Sequence, residues 1–161
     1  LKNQQIIDIL KLKEQKWKFG IKSQKIYFKN NTKPQDLHNL FFFCNRLIGY
    51  TALKKRTYIY NNQKREYLLF DTLILSKKYR NLKISKTIMN FNNNIIRKKK
   101  KSSFLICDKN LCSFYEKFSW IKIKPNFFEI KDLKTKKEFM NFNSNFLVKK
   151  PKYKLIFYIN K

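Results

Sequence analysis

The chain predicts an α/β (α+β) protein, a mixed central sheet flanked by helices, and three observations lead there. Apolar runs too short for helices, "YLLFDTLIL" (67–75) and "SSFLIC" (102–107), alternate with segments of helical period. The segment from Ile84 places Ile84, Ile88, Phe91 and Ile95 on one face and closes in "RKKKK", cations at the negative end of a helix dipole. A strand, a helix and a second strand in succession call for a parallel crossover.

The elements follow in order. "NQQIIDILKLKEQKWKFG" spaces Ile6, Ile7, Ile9, Leu10, Trp17 and Phe19 as a loose helix, with Gly20 as its stop. Asn30-Asn31 and Pro34 mark a break. "HNLFFFCNRLIGYTALKKRTYIY" reads as a hairpin turning at Asn45, and Asn61-Asn62 opens a basic loop before a third strand, Tyr67–Leu75. After the helix from Ile84 come the strand "SSFLIC", a short helix "NLCSFYEKF" with Asp108 or Asn110 as caps, and the strand "SWIKIK". Residues 125–150 are lysine-rich without clear period, and "YKLIFYIN" is a last strand.

Bulk properties narrow the class. A length of 161 residues suits one domain, 1–161, with room for a core. Sixteen Phe, nine Tyr and 43% hydrophobic residues exclude disorder despite the charge. No apolar run is long enough to span a bilayer, and no secretory-signal pattern opens the chain, which begins at Leu1. Cys44, Cys107 and Cys112 are odd in number and mostly in apolar contexts, which suggests reduced thiols and a cytoplasmic setting rather than a disulfide framework. The net charge of +28 rests on 33 Lys and only five Arg, a composition that an AT-rich genome imposes broadly. It favours anionic ligands and disfavours polycations.

One joint stands apart. Between Leu75 and Ile84 lie Lys77, Lys78, Arg80 and Lys83. A basic loop is ordinarily a solvated one, but here the next helix begins, and its first N–H groups carry the positive end of the dipole. Cations there oppose the dipole unless an anion rests on the free amides, so the joint has the makings of a phosphate seat.

"LILSKKYRNLKISKTIM" resembles motif A of the Gcn5-related N-acetyltransferase (GNAT) superfamily, here about residues 67–97. That motif is a strand, a loop of pattern Q/R-x-x-G-x-G/A and a helix. Arg80 stands at the leading Q/R, Lys83 at the first Gly and Ser85 at the final Gly/Ala. The resemblance implies that the loop Arg80, Asn81, Leu82, Lys83, Ile84 and Ser85 holds the pyrophosphate of coenzyme A, and that Leu73 and Leu75 lend backbone groups to its pantetheine arm. Lys83 departs from the pattern, and if the position needs a positive φ it costs about 1 kcal/mol or more.

"LICDKNLCSFYEKFSWIKI" resembles motif B, about residues 102–124. Tyr115, Glu116 and Lys117 match as they stand, Ser119 sits at the usual Gly and Trp120 at the usual Phe. The resemblance implies that Tyr115 protonates the departing thiolate, for which a phenol of pKa ~10 is a reasonable donor. Read alone, Phe114, Tyr115, Phe118 and Trp120 are equally a packed aromatic corner. An Asn common seven residues before the tyrosine is Asp108 here, and Asn110 is the nearby substitute as a coenzyme contact. "NRLIGYTAL" resembles the family's hairpin, with Gly49 at its common Gly.

The resemblance covers about residues 36–124. It implies a GNAT-like, strongly twisted sheet with a splayed fourth strand (Tyr67–Leu75 here) and transfer of an acetyl group from acetyl-CoA to a primary amine by direct attack in a ternary complex. Neither a metal nor a membrane is implied. For the base that deprotonates the amine the candidates are Asp71, Glu66 and His38, the only histidine. An anionic acceptor such as a nucleotide-linked amino sugar suits the charge better than a polyamine or an aminoglycoside, and a homodimer is left open. Two other readings remain: a basic nucleic-acid-binding protein, against which the charges are spread over the chain, and a GNAT fold that binds coenzyme without catalysis.

Overall fold

The computed structural model describes residues 1–80, 83–133, 136–143 and 151–159. Among these are four α-helices, α1 (Asn3–Glu14), α2 (Ile21–Asn31), α3 (Ile84–Lys98) and α4 (Cys112–Glu116). Eight strands accompany them: β1 (Leu37–Phe43), β2 (Arg46–Tyr60), β3 (Gln63–Leu75), β4 (Ser103–Cys107), β5 (Ile121–Lys122), β6 (Phe128–Ile130), β7 (Glu138–Phe142) and β8 (Leu155–Tyr158). The mixed sheet runs β5-β7-β4-β3-β2-β8-β6, with β1 also paired to β2. The chain forms two compact units, Leu1–Lys54 with Asp71–Phe91, and Lys55–Phe70 with Asn92–Lys161.

In the first unit, β1 and β2 form the expected antiparallel hairpin, from Leu37↔Leu53 to Phe43↔Arg46 with a register shift between Phe41 and Phe42. Its tight turn is Cys44-Asn45, at φ 45° and 59°. Two left-handed residues give a turn whose twist matches that of the strands. The core collects Ile9, Leu10 and Leu12 from α1, Phe28 from α2, Tyr50 and Ala52 from β2, and Ile74 from β3. Helix α2 was not foreseen: its apolar residues are few, and it is Gly20 at φ 81° that lets the chain turn and start again. The Gly20 N–H donates to Glu14 Oε1 at 2.9 Å, and buried Gln24 donates from Nε2 to the Trp17 carbonyl at 2.7 Å, which closes the α1–α2 corner.

In the second unit, β3 pairs with β4 in parallel only at Leu68↔Ser103 and Leu69↔Phe104. Among the described residues the ladder between β3 and β4 ends at that pair. β7 pairs antiparallel with all of β4, from Ser103↔Phe142 to Cys107↔Glu138. β6 and β8 run parallel, and β8 closes antiparallel on β2. Tyr58, Tyr67, Phe104, Phe139 and Phe157 pack in the core, mostly edge to face, with ring centroids 4.7–6.0 Å apart.

Several expectations need correction. Asn61-Asn62 is not the start of a loop but a two-residue turn (φ 50° and 57°), and β3 begins at Gln63. Asn tolerates the left-handed region, so the basic residues 64–66 are strand. Phe91 is 46% exposed, and α3 buries Ile88, Met89, Asn92, Asn93 and Ile96 instead. Residues 125–150, read as aperiodic, contain β6 and β7. Their alternation is short and broken by lysines, so only pairing with β8 and β4 reveals them.

Candidate functional site

The start of α3 is held by close packing in the first unit. Gly49 on β2 leaves no room for a side chain: a Cβ there would stand 2.9 Å from Ile88 Cδ1, 3.4 Å from Leu75 Cδ1 and 3.5 Å from Phe41 Cβ. The Ser76 N–H donates to the Ile48 carbonyl at 2.7 Å, which carries the exit of β3 alongside β2. Arg80 folds back, its Nε–H donating to the Leu75 carbonyl at 3.1 Å, so the last carbonyl of β3 already accepts one hydrogen bond. Lys83 stands at φ 56°, and its carbonyl accepts the Lys86 N–H at 3.0 Å as the first turn of α3 closes. A lysine thus occupies a left-handed position that favours glycine. Ile84 and Ser85 are half-buried in that turn, which carries no acidic residue to satisfy its amides. Leu73 is half-buried and Leu75 buried on β3. Asn81 and Leu82 lie outside the described residues.

Two of the three candidate bases lie in this unit. Asp71 pairs through Oδ2 with Lys54 Nζ at 3.0 Å and accepts Thr72 Oγ1–H at 2.9 Å. With Thr72 it lines a cavity of about 420 Å³ whose other walls are Lys13, Trp17, Phe19, Ser23, Gln24 and Tyr27. His38, on β1, has Nδ1 2.7 Å from the Tyr50 hydroxyl on β2. Burial drives the Tyr50 phenol far above its usual range, so it stays protonated. Burial also lowers the His38 pKa, leaving a neutral imidazole whose Nδ1 is engaged by Tyr50.

The second unit holds the other expected residues. Tyr115, on α4, is buried against Phe70, Phe114 and Trp120 at centroid distances of 6.5, 5.1 and 6.2 Å. The aromatic corner is real. Among the described residues, however, its hydroxyl has no hydrogen-bond partner, and burial with the Cys107 thiol nearby raises its pKa. Ser119, at the motif's usual Gly, has φ 64°, so it keeps a left-handed backbone as Lys83 does. The turn after α4 is clamped from α3: Asn93 accepts Trp120 Nε1–H at 3.1 Å and donates from Nδ2 to the Phe118 carbonyl at 3.0 Å. Asn93 was missed, and its only signal in the sequence is an amide on the inner side of an amphipathic helix. Asn110 is exposed in a turn of 3-10 helix, Lys109–Leu111. Asp108 occupies the cap position but makes no side-chain cap; its carboxylate meets Lys137 Nζ at 3.4 Å, and the cap bond is the Leu111 N–H to the Asp108 carbonyl at 2.9 Å. Glu66, the third candidate base, is bound by Lys55 at 2.6 Å and Lys101 at 2.9 Å. Those hydrogen bonds pull its pKa down to about 2, which makes it a poor proton acceptor. Cys44, Cys107 and Cys112 are free thiols. Among the described residues no cluster of His, Cys, Asp and Glu could hold a metal ion, and no helix is long and apolar enough to cross a membrane.

Compared by sequence, the chain matches no protein-family model and none of the curated proteins. Compared by structure it matches many solved proteins. The GNAT family N-acetyltransferase YhbS from Escherichia coli, solved with CoA, superposes with a TM-score of 0.72 at 11% identity, over 99% of this chain and 88% of that one. An aminoglycoside 6'-N-acetyltransferase complexed with coenzyme A gives 0.65 at 12% identity, over 88% and 91%. The ribosomal-protein-S18-alanine N-acetyltransferase from Escherichia coli gives 0.63 at 9% identity, over 88% of both chains. The fold is that of the GNAT N-acetyltransferases, as motifs A and B imply.

Proposed function

We propose that this chain is an acetyl-CoA-dependent N-acetyltransferase acting on a primary amine of a small molecule. The observation that carries the reading is the start of α3. A lysine accepts the left-handed backbone of a glycine position there, in a cationic joint with no acidic residue in the helix's first turn. That arrangement is costly for stability and suited to a diphosphate.

Acetyl transfer needs the thioester held extended, a donor for the developing oxyanion, and a path for two protons. Arg80, Lys83, Ile84 and Ser85, with Asn81 and Leu82, are assigned to the pyrophosphate. The backbone of Leu73 and Leu75 is assigned to the pantetheine arm and the oxyanion, and Asn110 to a peripheral coenzyme contact. The amine nitrogen attacks the thioester carbonyl, the C–S bond breaks, the ammonium proton passes to a base, and the thiolate takes a proton from Tyr115. Asp71 is the preferred base because it lines the cavity of the first unit and pairs with one lysine where Glu66 is held by two, while Nδ1 of His38 is engaged by Tyr50. The excess of cations favours an anionic acceptor, and an amino sugar carrying phosphate is the class we assign.

The test is calorimetric titration of acetyl-CoA into the wild type and Arg80→Ala, alongside a thiol-release assay on an amine panel. Micromolar binding weakened by Arg80→Ala, with thiol released on an anionic amine, is expected. Salt-sensitive RNA binding without coenzyme binding would overturn the proposal in favour of a nucleic-acid role, and coenzyme binding without turnover would leave only the binding half.

A further inference from the structure

The cavity beside Asp71 is built around a cation that lacks a counter-ion. Lys13, on α1, is 93% buried, being only 7% exposed, yet among the described residues its ammonium makes no hydrogen bond and no ion pair. What it meets are ring faces: Nζ lies 5.7 Å from the Trp17 ring centroid and 5.2 Å from that of Tyr27. A carboxylate that acts on it, Asp71, is already engaged at 3.0 Å by buried Lys54. The group therefore holds two ammoniums and one carboxylate, an excess of one positive charge in a recess lined by rings. Burial accordingly depresses the Lys13 pKa, Asp71 working against that and Lys54 with it. An ammonium that opens on a ring-lined recess without an ion pair of its own leaves a place for an anion there.

We propose that this cavity is the acceptor site and that the acceptor is an amine carrying one anionic group, a carboxylate or a phosphate, which pairs with Lys13 while its flat body lies against Trp17 and Tyr27. The amine end then lies by Asp71 and Thr72, which line the same cavity. About 420 Å³ accommodates a single ring with its substituents, within the usual span of small-molecule pockets. The aromatic faces suit the apolar face of a sugar or an arene alike. Gln24, buried and bonded to the Trp17 carbonyl, fixes the corner that presents Trp17, so the wall is preformed. The assignment rests on the acetyltransferase reading for the word acceptor, but the anion site stands on the cavity alone.

Matched ligands test it. Titration calorimetry compares L-phenylalanine with phenethylamine, and glucosamine 6-phosphate with glucosamine, against the wild type and Lys13→Met. At least one anionic member is expected to bind about tenfold or more tighter than its partner, and Lys13→Met to abolish that preference while acetyl-CoA affinity stays unchanged. Which pair responds tells carboxylate from phosphate. Equal binding within both pairs, no binding of either anionic member, or a preference that survives in Lys13→Met overturns the proposal, as does acetylation of Lys13 itself by acetyl-CoA. Should Lys13→Met not fold, Lys13→Arg must keep the wild-type preference. Failure to bind acetyl-CoA with the ligand preference intact would sink the acetyltransferase reading and spare the anion site.

Discussion

The Tyr50 hydroxyl and Nδ1 of His38 share a 2.7 Å hydrogen bond, joining β2 to β1 through the only histidine in the chain. The imidazole also packs on Tyr50 with rings nearly parallel, at 6.0 Å, and lies 5.6 Å from the Phe28 ring. This makes His38 a structural residue first, and it has a consequence for pH.

Burial lowers the folded-state pKa of His38 below its unfolded value of 6.5. The unfolded chain therefore binds more protons in that range, and stability rises with pH through it. Acidification from neutral to about pH 5 is expected to lower the melting temperature, and His38→Gln, whose amide oxygen still accepts from Tyr50, to flatten that slope. Calorimetric melts across pH check it; an unchanged slope in His38→Gln refutes it. Glu66 acts in a separate window, because its depressed pKa stabilises the fold above the usual carboxylate range and loses that contribution only as pH falls toward about 2.

Lys83 and Ser119 both hold positive φ, at 56° and 64°. Replacing either by Gly removes the Cβ penalty and is expected to stabilise the chain by about 1 kcal/mol, less what the more flexible unfolded chain takes back. Denaturant titration reads this directly. For Lys83→Gly, acetyl-CoA affinity separates two roles. Unchanged affinity makes the ammonium incidental, and weaker binding makes it a ligand to the diphosphate.

Asn93 gives both its amide ends to the turn after α4. Asn93→Leu strands the buried Trp120 indole N–H and frees the half-buried Phe118 carbonyl, and should cost about 1–3 kcal/mol. A loss below 0.5 kcal/mol by denaturant titration, on the order of an exposed substitution, would show the clamp to be dispensable.

Tyr115→Phe keeps the aromatic packing and removes only the unpartnered hydroxyl. Acetyl-CoA affinity and melting temperature should hold while turnover falls by about 10²-fold, the usual contribution of a positioned acid. Full turnover in this variant would return Tyr115 to the packed corner alone.

Gly49→Ala presses a methyl to within 2.9 Å of Ile88 Cδ1. Because the Ile88 side chain is wholly buried, it must shift within a filled core, at about 1–3 kcal/mol. The displacement falls on the first turns of α3, so weaker coenzyme binding should accompany the lower stability.

Much was legible without coordinates. Apolar runs marked β3 and β4, the hairpin announced itself at Asn45, and the order strand, basic joint, helix, strand, tyrosine-bearing helix pointed to the GNAT fold. Strands β6 and β7 escaped because three to five residues among lysines carry too little period to distinguish. Helix α2 escaped because its few apolar residues make a weak stripe. Phe91 was misplaced because helical period identifies a face without saying how wide it is, and the Asn run at 92–94 concealed that two amides point inward.

By itself the sequence determined most element types, the place of the cationic joint and the substituted glycine positions, since these depend on local periodicity and on neighbours in the chain. Tertiary structure alone decided that Lys83 and Ser119 adopt a left-handed backbone, that His38 engages Tyr50 through Nδ1, and that Lys13 lies largely buried without an ion pair of its own in the cavity that Asp71 lines. Those outcomes depend on which residues distant in the chain share a dry neighbourhood, and desolvation there sets which charges, protons and hydrogen bonds can persist.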